Sequence, residues 1–508
     1  MSPDPRRSWD ALAECAEFAG AHMSGIPLIP NVEDGPDAEE GGNELRRALG
    51  PIHLIMLGVG AIIGAGIFVS TGQAAANYAG PAVMISYLVA GLGCLLAGLC
   101  YAEFASMIPV AGSAYSYSFA TLGKFFAWII GWDLILEYLA AASAVSVGWA
   151  GYFKGMLASI GIHIPDHLST SPVTWDAASG AMHLSGAVIN LPAAALILLL
   201  TALLVVGIRA SANFNAAIVV LKLLVVLLVI GFGFAYIVPG NLTPFIPENT
   251  GIFGEYGWSG ILRASGVVFF AYIGFDSVSV AAQECRNPQR SMPIGILGSL
   301  AICTILYILM CLVMTGMADY TTLNVPQPVA KAVEAAGGAL DWLVQLVNIG
   351  AVLGLGTVVL VLLLGQARIF YAMSRDGMLP PLFARVHPQF RTPHVSTIMI
   401  GVVAALLSAF LPHDLLIELV SIGTLAAFVL VCVSVIVLRK THPDVHRPFR
   451  TPLVPLVPIL GILVCGAMMA GLPLDTWIRL AIWFAIGLVV YFLYARHNAK
   501  TPSYALKR

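Results

Sequence analysis

The chain has 508 residues, 59% of them hydrophobic and only 10% charged, with a net charge of −2. Soluble domains carry about 25% charged residues, so this composition excludes an ordinary water-soluble globular protein, and the near-neutral balance offers no field for nucleic acid. The 50 glycines and 30 prolines fit a membrane bundle, where both are better tolerated than in water.

The first 50 residues are polar and mainly acidic (Glu33, Asp34, Asp37, Glu39, Glu40), the reverse of a cleavable signal peptide. Within them, residues 9–23 suit either a short amphipathic helix or a disordered tail. Twelve apolar runs follow, at about 53–75, 82–108, 125–156, 188–208, 214–238, 259–283, 293–316, 338–372, 395–411, 415–438, 453–472 and 474–495. A helix rising about 1.5 Å per residue needs roughly 20 residues to span the bilayer core.

The third and eighth runs are the longest and occupy equivalent places if runs 1–5 and 6–10 are repeats. Five is odd, so the second copy is expected upside down. The expected fold is therefore an all-α membrane protein of twelve transmembrane helices. It has a LeuT-type 5+5 inverted repeat, discontinuous helices 1 and 6, and two extra C-terminal helices. The corresponding units are a tail at 1–50, repeats at 51–240 and 241–440, helices 11 and 12 at 441–496, and a tail at 497–508.

Lysine and arginine set the orientation. With a cytosolic N-terminus, twenty fall on one side and four (Lys154, Arg263, Lys331, Arg479) on the other, while Lys222 lies inside a run. That bias puts both termini in the cytosol. The loops 157–187 and 373–394 are long enough for short structure of their own. Of eight cysteines, six sit in apolar runs and none forms a CxxC pair, which speaks against a disulfide framework or a zinc site.

Two runs are interrupted by glycine. The first reads Gly58-Val59-Gly60-Ala61-Ile62-Ile63-Gly64-Ala65-Gly66-Ile67-Phe68, and the second Phe269-Phe270-Ala271-Tyr272-Ile273-Gly274-Phe275-Asp276. A proline, Pro81 or Pro293, opens the apolar run after each. An unmade backbone hydrogen bond in hydrocarbon costs several kcal/mol, so such breaks survive only where buried or lining a cavity. Interruptions at matching places in two halves point to a transporter's binding site.

The amides of Gly64, Ala65 and Gly66 would head a half-helix and suit a carboxylate, and the carbonyl of Ile62 suits a cation. An amino acid offers both groups on one carbon. Close packing of Gly60 and Gly64 against another helix is the plainer alternative. Gly58, Gly60 and Gly64 also resemble a dinucleotide loop, but no preceding strand or following acidic residue supports one. Phe270 and Tyr272 suit a lid or plain core. Asp276 could brace the broken helix, meet a substrate ammonium or face water.

Lys222 lies about 13 Å from the cytosolic end of its run. It either snorkels to the surface or alternates between charged and neutral forms and so couples proton entry to solute entry. Asp133 and Glu137, one helical turn apart, suit a proton path, a cation selectivity point or a hydrogen-bonded brace, the last being the reading we favour. Glu103 reads as structural. With no nucleophile–base pair, serine elbow or HExxH motif, an enzyme is not expected.

At these residues the sequence resembles the amino acid–polyamine–organocation superfamily, and within it the cationic amino acid transporter family and its bacterial members. Four stretches carry the likeness: 58–72 (GVGAIIGAGIFVSTG), 101–117 (YAEFASMIPVAGSAYSY), 269–293 (FFAYIGFDSVSVAAQECRNPQRSMP) and 365–380 (GQARIFYAMSRDGMLP). The resemblance implies an alternating-access carrier with substrate between helices 1, 3, 6, 8 and 10. It assigns the α-carboxylate to Gly64, Ala65 and Gly66 and the α-amine to the carbonyls of Ile62, Phe270 and Ile273, with Ala271 and Asp276 beside them. Phe270 becomes a gate, and the side-chain pocket is completed around Gly356, Thr357, Val358 and Val359.

Lys222 then stands where sodium-coupled members of the fold bind an ion, which favours proton coupling, with Glu137 as a second candidate. The expected function is proton-coupled amino acid symport, with no cofactor and no metal, in the plasma membrane among lipid (the inner membrane in a Gram-negative cell). An ion-independent amino acid or polyamine exchanger and a non-transporting sensor are the alternatives. Whether the substrate is cationic or neutral stays open, because the wall around Val358 is small and apolar despite the family's name.

Overall fold

The computed structural model describes residues 50–107, 113–176, 181–207, 212–275, 278, 285 and 287–500. The expected amphipathic segment at 9–23 and Cys15 lie outside them. Helix occupies part of each of the twelve expected runs. The main helices are α1 (Pro51–Ile62), α2 (Val83–Met107), α3 (Ser113–Thr121), α4 (Lys124–Ser159), α5 (Leu191–Val206), α6 (Ala212–Gly233) and α7 (Gly257–Val268). They continue with α8 (Pro288–Met317), α9 (Pro328–Glu334), α10 (Asp341–Arg375), α11 (His394–Phe410), α12 (His413–Thr441), α13 (Leu456–Gly471) and α14 (Leu474–Val490).

Among the described residues, seven helical stretches are long and apolar enough to cross a membrane, and four shorter apolar helices accompany them. One of the seven, Gly66–Met107, reverses its backbone at Gly80 (φ +58°) ahead of Pro81, so it comprises two helices in space. In the loop 157–187, β1 (Val173–Asp176) pairs antiparallel with β2 (Ala181–Leu184).

Local signals explain where the helices begin. The Asn190 side chain accepts from the Ala193 N–H at 3.3 Å to start α5. Asn287 caps α8, and Pro288 takes its first position. This start lies five residues ahead of the expected one, so Pro293 sits inside the helix rather than opening it. A polar cap with proline at the first position outweighs the single backbone bond that Pro293 forfeits.

Packing pairs distant parts of the chain. α4 lies along α10, α2 along α8, and α5 along α11. Each pair joins a helix of residues 51–240 to the one five runs later. The seven described cysteines are buried and free.

One end of the bundle, which we call the basic end, is tied by a buried carboxylate. Glu103 on α2 is fully buried and accepts from Arg439 Nε at 2.9 Å and Nη2 at 2.8 Å. The Thr451 N–H donates to it at 2.8 Å, and Arg447 Nε lies 3.3 Å away. Arg447 also donates to the carbonyls of Pro443 and Val445 at 3.0 and 2.7 Å. The structural reading of Glu103 therefore holds: it fastens the segment after α12 onto α2. Glu103→Ala is expected to cost about 3–5 kcal/mol by leaving two guanidinium groups uncompensated. A clear fall in the thermal unfolding midpoint of the detergent-purified protein would report it, and an unchanged midpoint would refute the anchor.

Candidate functional site

Both glycine interruptions are real breaks. α1 ends at Ile62, Ile63 is extended (ψ 97°), and helical bonding resumes with Phe68 N–H to Gly64 O at 3.3 Å. The chain then continues as Gly66–Ser70, Thr71–Ala74 and Ala75–Ala79, with wide π-type turns in the first and last pieces. After α7 comes a tight turn at Phe269–Tyr272, an extended Ile273 (ψ 138°), and Gly274 at φ +110°. Only glycine adopts that last conformation without strain. Asp276 lies outside the described residues.

The two breaks touch. A methyl group on Gly66 would overlap the backbone of Ala271, and one on Gly274 would press on the carbonyl of Ala61. Glycine at these places lets the two interrupted chains meet backbone to backbone.

Three side chains from three other helices satisfy the freed backbone groups. Lys222 on α6, only 1% exposed, donates to the carbonyls of Gly60 and Ile63, the latter at 2.8 Å. It is therefore turned into the first break and does not snorkel. The Tyr307 hydroxyl on α8 lies between the carbonyls of Ile62 (2.9 Å) and Ala271 (2.8 Å), one from each break. With a single proton it donates to one of them at a time. On α2, the Tyr87 hydroxyl donates to Gly66 O at 3.0 Å and sits 2.6 Å from Thr71 Oγ1. Tyr272 closes the cluster with a 2.9 Å bond to the Tyr87 carbonyl.

Sequence reasoning singled out Lys222 and missed Tyr87 and Tyr307. Their signal was present: a buried tyrosine hydroxyl in an apolar run needs a partner.

A cavity of about 600 Å³ opens beside the breaks, within the usual range for small-molecule sites. Ile62, Gly64, Ala65, Gly66, Phe270, Ile273 and Val358 line it together, joined by Tyr138, Ala141, Val145 and Thr357. It runs past Arg368 to the exposed Ile52 and His53 at the basic end. Beyond Gly66 the second half of the broken helix packs on α7, α9 and the Tyr320–Leu323 turn, which closes the other direction. No Asp or Glu occurs among the described lining residues. The Thr357 hydroxyl is spent on its own helix, donating to Gly354 O at 2.8 Å.

The other expected residues take different places. Ala271 contributes its carbonyl to Tyr307, and the Phe270 carbonyl accepts from Ile273 N–H at 3.2 Å. Val359 is fully buried and, like Gly356, is not among the lining residues. Glu137 is buried one residue from Tyr138. Asp133, 1% exposed, lies beside Gly423 on α12, and neither of its oxygens has a hydrogen-bond partner among the described residues. The favoured brace is thus not seen for Asp133.

Tyr307→Phe removes the donor shared by the breaks and leaves a buried carbonyl unpaired, at a cost of about 1–3 kcal/mol. Thermal unfolding in detergent should show a lowered midpoint; an unchanged one would mean that Ile62 and Ala271 find other donors.

Similarity to known proteins shows the family. The amino acid permease family matches residues 49–495. The chain is 47% identical over 462 residues to the methylthioribose transporter of Bacillus subtilis (strain 168), covering 91% of this chain and 96% of that protein. It is also 47% identical over 471 residues to the branched-chain amino acid permease of the same organism, covering 92% and 97%. A vacuolar cationic amino acid transporter of Arabidopsis thaliana is 39% identical over 428 residues, covering 83% of this chain and 67% of that one. These relatives are named as transporters and permeases, not enzymes. The chain is a multi-pass membrane transporter that belongs to the amino acid permease family of the amino acid–polyamine–organocation superfamily.

Proposed function

We propose that the protein is a proton-coupled symporter of small apolar amino acids, working by alternating access and open here toward the cytosol. The observation that carries this reading is the cavity joining both broken helices to the basic end, with no acidic side chain among its described lining residues. A substrate α-carboxylate would take the amides of Gly64, Ala65 and Gly66. Its α-amine would face the carbonyls of Ile62, Phe270 and Ile273, with Asp276 in the same stretch of chain.

The substrate side chain would lie along Ala141, Val145 and Val358, with Val359 supporting that wall. Arginine or lysine would find no carboxylate among the described lining residues and would pass Arg368 at the mouth. The relative named as a branched-chain amino acid permease supports a neutral apolar substrate.

Lys222 would supply the coupling. Its buried ammonium donates to two carbonyls of the first break, so gaining or losing a proton would change the hold on the chain beside the cavity. Glu137, buried near the cavity wall, is the second proton-handling candidate. The pairing of helices five runs apart supports the inverted repeats 51–240 and 241–440, followed by helices 11 and 12 at 441–496. The lysine and arginine bias favours cytosolic termini in a cell membrane.

A second reading follows from the relative named as a methylthioribose transporter. A neutral sugar would suit the acid-free wall but would leave the amides of Gly64–Gly66 without a carboxylate.

Proteoliposomes separate these readings. Labelled leucine or alanine is expected to accumulate under an inward proton gradient, with arginine competing at least tenfold less well, about 1.4 kcal/mol of discrimination. Lys222→Ala should abolish gradient-driven accumulation. Exchange that ignores the gradient in both proteins would overturn the role of Lys222 and favour an exchanger. Competition by methylthioribose but by no amino acid would favour the sugar, and binding without transport would favour a sensor.

A further inference from the structure

A second cavity, of about 670 Å³, lies along the start of α8 at the basic end. One wall is a stripe of α8 at helical spacing: Gln289 and Arg290, then Pro293 and Ile294, then Leu297 and Gly298. The lining thus changes from polar and cationic in the first turn to apolar in the next two. Pro448 and Phe449 face this stripe. That far wall is fixed, because the Phe449 N–H donates to Ser106 Oγ at 3.3 Å and the Thr451 N–H donates to Glu103. Arg290 is exposed and joins none of the ion pairs among the described residues.

We propose that this groove holds an anionic phospholipid, with its phosphodiester on Arg290 and Gln289 and an acyl chain along Ile294 and Leu297. A soluble phosphate would leave the two apolar turns unused. A neutral hydrocarbon would leave the guanidinium without a counter-charge among the described residues. An amphiphile with an anionic head meets both demands, and the groove's polarity runs in the same sense as a leaflet from headgroup to core. The cationic turn lies at the end where most lysines and arginines gather, the usual place for such headgroups.

The position has a mechanical consequence. α8 carries Tyr307 and packs along α1 and α2, while the facing wall is fastened to α2 through Glu103. A lipid wedged there would tie the start of α8 to the segment after α12 and stabilise the form open at this end. The choice of leaflet rests on the orientation proposed above; occupancy of the groove does not.

The test uses the full chain in mild detergent, titrated with phosphatidylglycerol or with phosphatidylcholine of the same acyl chains. Thermal unfolding and native mass spectrometry are followed, so failure of the transport reading leaves the outcome interpretable. Phosphatidylglycerol should raise the unfolding midpoint saturably, and phosphatidylcholine should not. Arg290→Gln should weaken the apparent affinity about fivefold, the worth of one arginine near an anionic surface. Leu297→Trp, which fills the apolar turns, should abolish the shift; if that variant does not fold, Arg290→Gln decides alone. An equal response to both lipids, an undiminished response in the variants, or reproduction by inorganic phosphate would overturn the proposal.

Discussion

A backbone group without a partner costs several kcal/mol in an apolar interior, and this protein breaks two helices inside one. The rest of the structure answers that constraint. Tyr87 from α2, Lys222 from α6 and Tyr307 from α8 converge on the carbonyls that the breaks release. Because Tyr307 stands between Ile62 and Ala271, one hydroxyl serves both interruptions and locks their relative position. Both broken segments line the cavity, at Gly64, Ala65, Gly66, Phe270 and Ile273.

The same logic explains where charge is kept. Glu103 is fully buried, yet it sits at the bundle's basic end, where Arg439, Arg447 and a backbone amide compensate it. Its role is to fasten a connection. Lys222 is the contrasting case: a buried ammonium whose hydrogen bonds among the described residues go to carbonyls of the first break. A cation in that position is costly without such partners. These two buried charges thus lie apart, one at the rim and one in the middle.

Apolar packing sets the remaining shape. α4 and α10, the longest helices, lie along each other and supply most of the wall opposite the breaks through Tyr138, Ala141, Val145, Thr357 and Val358. Small and branched side chains leave room for a solute without offering it a charge. A cationic side chain buried against these residues would lose its water without meeting a carboxylate among the described lining residues.

Much of this was legible in the chain itself. Run length and composition gave the helices, because roughly 20 apolar residues have few other stable arrangements in a bilayer. Glycine at 64, 66 and 274 marked the breaks, because helix-weakening residues recur there at matching points of two apolar runs. Lys222 stood out because an ammonium in an apolar run is expensive.

What the sequence by itself determined was therefore the class of fold and the location of the breaks, both governed by local cost. Which side of each helix faces the breaks is decided only when helices pack. Tyr307 and Tyr87 look like ordinary core tyrosines until α8 and α2 bring them to the freed carbonyls. Asp133 and Glu137 look like a matched pair until packing leaves Asp133 beside Gly423. Val358 and Val359 are adjacent in sequence, yet the first lines the cavity and the second does not, because successive helical residues point about 100° apart. Local cost can be read along one chain, whereas the sharing of a hydrogen bond between distant segments exists only in three dimensions.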